Sequence, residues 1–548
     1  MESKVKNNLG YRLALWLIIV ISMIIAVLFC FMKQGFHYDE NYSYYSTNVT
    51  YGLWPTDHEW KSTEEIKSEY MVLDGESLSL GRVKIYQGYD VHPPLYYYVL
   101  RIVCFFSKGV FSKWQGLAIN LIFYFICLLL LYRITDIVSG HDIYVNLFTM
   151  ALFGLSPGYL STVTFIRMYV MLTMFCFILL LIALRCVRDD TWNFKRAYIP
   201  TVIVTCLGFL THYYFMVFAF FVAAYVCIYL VIRSKTRKAA FIYGGSVCLG
   251  MAMAVLYYPV CLSHIFSGYR GTESTQAFMD MSNTVDRFEF FVGMLNDYTF
   301  SGMFYILILV GLLLYMFYSY RRKVRWVGRM TGEAGVSEDE KKPVEIREDP
   351  KHQKAVLGLM ITVTIGFFLI VCKTAMTPSN PAEALRYECP DYGLIIMLIV
   401  LGIVRVFEKV MNKKMIAVAV LVISVGCQVY GLCDDRVFFI YEGAQDFVAF
   451  AREHKDADIV YIYNPNNDWM IWNDGPELME YKDIYFVPYD TSTAIDDERL
   501  LNSSDIYVYA CRSDETDAII QSIVDENEKL QGYEKISERT FVDVYRLR

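Results

Sequence analysis

Apolar runs near the roughly 20 residues needed to cross the hydrocarbon of a bilayer recur along most of this chain, beginning at 11–32. A backbone inside lipid has to satisfy its own hydrogen bonds, so repeated runs of this length are restricted to helices packed on one another. The candidate spans fall at 11–32, 116–132, 143–160, 163–184, 197–211, 213–232, 239–261, 300–320, 355–373, 391–407 and 414–432. They predict a polytopic α-helical membrane protein of about eleven transmembrane helices. With 55% hydrophobic and only 20% charged residues among 548, the chain is too apolar for ordinary soluble domains.

Charge divides the chain in two. Residues 441–548 hold 24 Asp and Glu against 10 Lys and Arg, so that of a total charge of −7 the preceding part carries +7. The tail alternates β-rich runs at 459–463, 484–488, 506–510 and 541–547 with a helical stretch at 514–530, which predicts a small α/β domain. No glycine-rich phosphate loop opens its helices. The expected domains are therefore 1–432, a transmembrane part with a long loop at 33–115, and 433–548, a soluble α/β part.

The first run is long and lacks a small-residue cleavage signature, so it reads as a retained span with a cytoplasmic N-terminus. Alternation then places Arg185, Arg188, Lys195, Arg196, Arg233, Lys235, Arg237, Lys238, Arg321, Arg322, Lys323 and Arg325 in cytoplasmic loops, as the positive-inside rule requires. The charged stretch 321–354 reads as a solvated connector. The loop 33–115, the loop 262–299, the stretch 374–390 and the acidic tail share the extracytoplasmic face, and chemistry is expected there. No basic cluster suggests nucleic acid. The cysteines sit mostly inside apolar runs, without a disulfide or zinc framework.

Two constellations occupy the long loop. Gly35-Phe36-His37-Tyr38-Asp39-Glu40 places adjacent carboxylates directly after the first span, where ionisable groups are functional candidates; an exposed loop pair explains the spacing equally well. Asp90-Val91-His92-Pro93-Pro94-Leu95-Tyr96-Tyr97-Tyr98 holds His92 and Asp90 ahead of a rigid proline pair that enters a helix; a loop-to-helix transition with aromatic interface anchors is the plainer reading.

Together these features resemble the first outer loop of the GT-C glycosyltransferases, in particular the family of the protein O-mannosyltransferases and the lipid A aminoarabinose transferase. The matching residues are Asp39-Glu40 after the first span and His92-Pro93-Pro94-Leu95-Tyr96-Tyr97 closing the loop. Arg167-Met168-Tyr169, Leu210-Thr211-His212-Tyr213-Tyr214 and Arg386-Tyr387 before Pro390 continue the likeness over about the first 430 residues.

The resemblance implies metal-independent transfer, with no cofactor, from a polyprenyl-phosphate-linked sugar donor to an acceptor protein, lipid or cell-wall polymer. It assigns Asp39, beside Glu40, to the acceptor as base. A hydroxyl attacking an anomeric carbon must lose its proton, and a carboxylate within hydrogen-bond reach can take it. The leaving phosphate needs cations, for which Arg270, Arg386, Arg167 and Lys373 are candidates. Mobility of the loop tip competes with this reading for Arg270, and snorkelling at helix ends competes for Arg386 and Arg167. His212, His92, Asp90 and Tyr96 are candidates for phosphate or sugar contacts, against interfacial packing roles. A transporter or lipid flippase, or an inactive scaffold of the same fold, is the competing class; no internal repeat supports the former.

Overall fold

A computed structural model describes residues 9–50, 52, 57–233, 237–330, 350–376, 381–411, 414–489 and 495–548. Eight of its helices are long and apolar enough to cross a membrane: Leu9–Met32, Lys113–Ser139, Tyr169–Asp189, Tyr214–Arg233, Arg237–Tyr257, His352–Thr374, Pro381–Glu408 and Met415–Cys433. Two further spans are broken. Ile143–Gly154 bends by 52° into Pro157–Thr164, where Pro157 supplies no N–H to the preceding turn. Thr284–Thr299 turns by 100° into Phe304–Tyr320 through Ser301 and Gly302, both at positive φ.

Among the described residues there are thus eight to ten such spans, where the hydropathy pattern predicts about eleven. The expected span 197–211 is a shorter helix, Ile199–Phe209, entered through one π-helical turn at Phe194–Tyr198. The expected 163–184 begins only at Tyr169, because residues 165–168 leave the helical path. Tyr169–Asp189 is the axis of the bundle, with 83% of its apolar window buried, whereas Leu9–Met32 lies at the edge with 28%. Much of the expected connector 321–354 falls outside the described residues.

The acidic tail supplies five strands of a six-stranded sheet: β1 (Glu59–Ser62) from the long loop joins β2 (Asp458–Tyr463), β3 (Asp483–Pro488), β4 (Ile506–Cys511), β5 (Tyr533–Glu538) and β6 (Val542–Leu547) in the order β1-β3-β2-β4-β6-β5. Its strands β2 (Asp458–Tyr463), β3 (Asp483–Pro488) and β4 (Ile506–Cys511) are parallel, almost wholly apolar and buried, as strands covered on both faces must be. Strand β6 (Val542–Leu547) pairs antiparallel with β4. Strand β5 (Tyr533–Glu538) carries four exposed residues, and its weak alternation hides it in the sequence. The strand β1 (Glu59–Ser62) comes from the long loop and pairs antiparallel with β3, joining Glu59 to Phe486 and Ser62 to Asp483. Loop and tail are therefore hydrogen-bonded to each other at one end of the bundle.

Candidate active site

The site starts at a helix cap. His37 precedes the helix Tyr38–Asn48; its Nδ1 accepts the Asp39 N–H at 3.1 Å, while Glu40 Oε2 accepts the His37 N–H at 2.6 Å. This reciprocal cap satisfies two of the donors a helix start leaves over. Glu40 has further partners. Its Oε2 pairs with Lys33 Nζ at 2.9 Å and its Oε1 accepts the Ile166 N–H at 2.6 Å, with both charged side chains fully buried. Successive helix positions differ by about 100°, so when Glu40 points into the protein Asp39 points elsewhere.

Asp39 points into a cavity of about 800 Å³. Asp90, His92, Arg167, His212, Arg270 and Arg386, all singled out by the sequence, line the same cavity. Arg386 Nη1 donates to Asp39 Oδ2, and Arg167 Nη2 lies 3.9 Å from Oδ1. Burial pushes the Asp39 carboxyl up, but the guanidinium groups of Arg167 and Arg386 outweigh it and hold the group well below the usual carboxylate range. Arg167 is fixed from the other side, donating to Tyr97 Oη at 3.0 Å, Ser43 Oγ at 3.2 Å and the Asp39 carbonyl at 3.2 Å.

His92 Nδ1 lies 2.9 Å from Asp90 Oδ2. Burial and the nearby Arg167 push the imidazole below its ordinary value, against the pull of Asp90. Burial pushes the Asp90 carboxyl up, but His92 and Arg167 together bring it below the carboxylate norm. The His212 ring stacks on Tyr214 and sits with its centroid 6.0 Å from that of His92. Burial, His92 and the two arginines keep His212 neutral, well below its ordinary value. The turn that presents it is tight: a Cβ on Gly208 would meet the Phe215 ring. Arg270 is more open, bonded to Glu273 at 3.2 Å with its side chain 36% exposed.

Three expected residues do not line the cavity. Glu40 is spent on its buried pair and cap. Tyr96 is fully buried, its ring edge-on to Tyr97. Lys373 donates to the Asp280 carbonyl, to Thr284 Oγ1 at 2.8 Å and to Asn283 Oδ1 at 3.2 Å, so it fastens the segment 280–284.

Other lining residues were not foreseen. Tyr38 and Tyr42 project from the Asp39 helix, and Trp469 and Trp472 from the 3₁₀ turn Asp468–Asp474 of the tail. Two tryptophans three residues apart in an Asn- and Asp-rich stretch were the available signal. Met216, Val217 and Ile370 add an apolar wall, each about one turn inside a spanning helix. Among the described residues, no three His, Cys, Asp or Glu side chains converge as a metal site would need.

The fold matches the crystal structure of ArnT from Cupriavidus metallidurans bound to undecaprenyl phosphate over 97% of both chains, with a TM-score of 0.50 at 10% identity. The same protein in the apo state aligns over 97% of both chains with a TM-score of 0.47 at 11% identity. The Archaeoglobus fulgidus oligosaccharyltransferase in its apo form aligns over 95% of this chain and 69% of its own, with a TM-score of 0.46 at 10% identity. No protein-family model matches the sequence, and no curated protein matches it significantly. The fold of this chain is the GT-C fold that the loop motifs resemble.

Proposed function

We propose that the protein is a membrane glycosyltransferase that moves a sugar from a polyprenyl-phosphate-linked donor to an acceptor on the extracytoplasmic face. The observation that carries this reading is the composition of one cavity. Three arginines, the carboxylates of Asp39 and Glu273 and a histidine–aspartate pair line it, beside an apolar wall that begins inside the spans. Such a cavity suits a ligand that is anionic at one end and a long hydrocarbon at the other. That a protein of this fold binds undecaprenyl phosphate supports the assignment. In this reading residues 1–432 are the transferase core, the N-terminus is cytoplasmic, and 433–548 lies outside and supplies Trp469 and Trp472 to the acceptor side.

The reaction forms a bond from the acceptor oxygen to the anomeric carbon and breaks the bond from that carbon to the phosphate oxygen, which keeps the electron pair. Arg386 and Arg167 hold the phosphate as its charge grows. An arriving phosphate shares the same guanidinium groups with Asp39. Asp39, which stays beside both guanidinium groups, accepts the hydrogen bond of the acceptor hydroxyl and aims its oxygen at the carbon. Attack opposite the leaving phosphate inverts the anomeric centre.

The test is transfer from a panel of radiolabelled undecaprenyl-phosphate sugars by the purified protein in lipid, with undecaprenyl phosphate binding measured in parallel. Asp39→Asn is expected to lose transfer by 10² or more, on the order seen when a group acting on the transferred proton is removed, while binding undecaprenyl phosphate at least as tightly as wild type. Full activity of Asp39→Asn refutes the role of Asp39. A wild-type protein that neither binds undecaprenyl phosphate nor transfers any of the sugars refutes the assignment, and a translocation path then becomes the better account of the cavity.

A further inference from the structure

A carboxylate shared by two arginines is a poor resting place for a proton. Asp39 is held ionised by Arg386 and Arg167, so its basicity is low even though its position is good. The proton of the acceptor hydroxyl has to go elsewhere, and the cavity contains a second group able to take it.

His92 is fixed by its chain and by its partner. Pro93 and Pro94 restrict the backbone that follows, and Nδ1 lies 2.9 Å from Asp90 Oδ2. An ionised aspartate only accepts hydrogen bonds, so Nδ1 carries the proton and Nε2 keeps its lone pair. Nε2 makes no hydrogen bond to any described residue, and the ring lines the cavity with 17% of the side chain exposed. An imidazole with one nitrogen tied to a half-buried carboxylate and the other without a protein partner is the arrangement that serves as general base in nucleophile–histidine–aspartate sites. The groups around it are Asp90 on its own segment, Asp39 and Tyr42 from the helix Tyr38–Asn48, Tyr97 from the helix Leu95–Phe106, Arg167 before Tyr169, and His212. Arg167 and burial disfavour a resident charge on the ring. The acidic partner Asp90 stabilises the imidazolium once a proton arrives.

We propose that Nε2 of His92 is the proton acceptor of the transfer reaction, with Asp90 as its positioning residue, while Asp39 orients the acceptor hydroxyl. The proposal rests on reading the cavity as a transferase site. As the oxygen–carbon bond forms and the carbon–phosphate oxygen bond breaks, the hydroxyl proton passes to Nε2. It then leaves to the departed phosphate monoester, whose second pKa is about 6, or to water, which restores the neutral ring.

The experiment measures kcat/KM against pH and undecaprenyl phosphate affinity side by side, using the undecaprenyl-phosphate sugar that the wild type accepts. His92→Gln is expected to lower kcat by about 10²–10⁴, to leave affinity for undecaprenyl phosphate within about twofold of wild type, and to abolish the fall in rate on the acid side. His92→Gly should regain part of the rate with added imidazole, a recovery that a misfolded variant could not give. Asp90→Asn should slow the reaction and move the acid limb to lower pH, because the amide no longer favours the imidazolium and can itself donate to Nδ1, turning the proton onto Nε2. Weakened undecaprenyl phosphate binding in His92→Gln with kcat intact overturns the proposal and makes His92 a phosphate ligand. An acid limb that survives in His92→Gln and vanishes in Asp39→Asn overturns it in favour of Asp39. A wild type that does not bind undecaprenyl phosphate overturns the transferase reading, and the proposal with it.

Discussion

Replacing Lys33 with methionine should strip a fully buried carboxylate of its counter-charge without opening a large hole. Lys33 Nζ donates to Glu40 Oε2 at 2.9 Å and to the Phe439 carbonyl at 2.6 Å, and neither charged side chain has any exposed surface. Breaking one side of a buried ion pair costs about 3–5 kcal/mol, and an orphaned buried carbonyl adds about 1–3 kcal/mol. Glu40 keeps two short backbone donors, from His37 and Ile166, so the expected loss for Lys33→Met is near the lower end of the sum, about 4–5 kcal/mol. The double variant Lys33→Met, Glu40→Gln removes both charges and leaves an amide oxygen for a backbone N–H. It should be less destabilised than the sum of the singles by about 2–3 kcal/mol.

Denaturant unfolding in detergent, with the two singles and the double in one cycle, reads these values. The cycle also bears on chemistry. If Glu40 acts by tying the end of the first span to the Asp39 helix and to the segment carrying Arg167, the double variant keeps measurable transfer wherever it is folded. A Lys33→Met protein as stable as wild type refutes the energetic argument. A folded double variant without transfer or a rescuing change returns Glu40 to the reaction itself.

Two other features make expectations of the same kind. Gly475 has ordinary helical φ and ψ, but a Cβ there would meet the ring of Tyr70, which is fully buried with its hydroxyl donating to the Trp472 carbonyl at 3.3 Å; Gly475→Ala should cost about 1–3 kcal/mol and raise protease susceptibility between loop and tail, and an unchanged melt would show that the contact yields freely. Asp474 is pushed up to about 7 by burial and by the Glu477 carboxylate. Between its unfolded value near ~4 and that folded value the native state holds a proton the unfolded chain has lost, so the tail should lose stability as pH rises through this window and level off above it. Asp474→Asn should flatten that fall and stabilise the tail at pH 8, by up to about 4 kcal/mol at ~1.4 kcal/mol per pH unit; parallel pH profiles of melting for variant and wild type would contradict this.

What could be read from the sequence was whatever depends on neighbours along the chain. The spans follow from run length, the parallel strands of the tail from continuous apolar stretches, and the candidate carboxylates and cations from their position at the membrane boundary. The breaks at Pro157 and at Ser301-Gly302 had local signals as well, although a hydropathy window averages over them. The sequence could not say which member of an adjacent acidic pair would turn inward. That depends on Lys33 lying at the end of the first span and on the Ile166 N–H arriving from a segment more than a hundred residues away. Strand β1 was equally hidden, because its partner β3 lies far along the chain, in the acidic tail.

The cations at the ends of spans show why partner identity, more than residue type, sorts a site from its scaffold. Arg167, Arg386 and Lys373 carry nearly the same signal: a basic residue at the end of an apolar run. In the fold, Lys373 meets a carbonyl, an amide oxygen and a hydroxyl, a neutral set that one ammonium group satisfies, and it holds a loop. Arg167 and Arg386 meet the same carboxylate, the one ionised group of the acidic pair that the fold leaves facing the cavity. Two guanidinium groups thus converge at one carboxylate beside an 800 Å³ cavity walled in part by apolar spans, with Glu383 a second, more distant partner of Arg386 at 4.0 Å. The paired guanidinium groups at the cavity wall are therefore what sets these two cations apart from Lys373, and the pairing exists only once residues 39, 167 and 386 have been brought together.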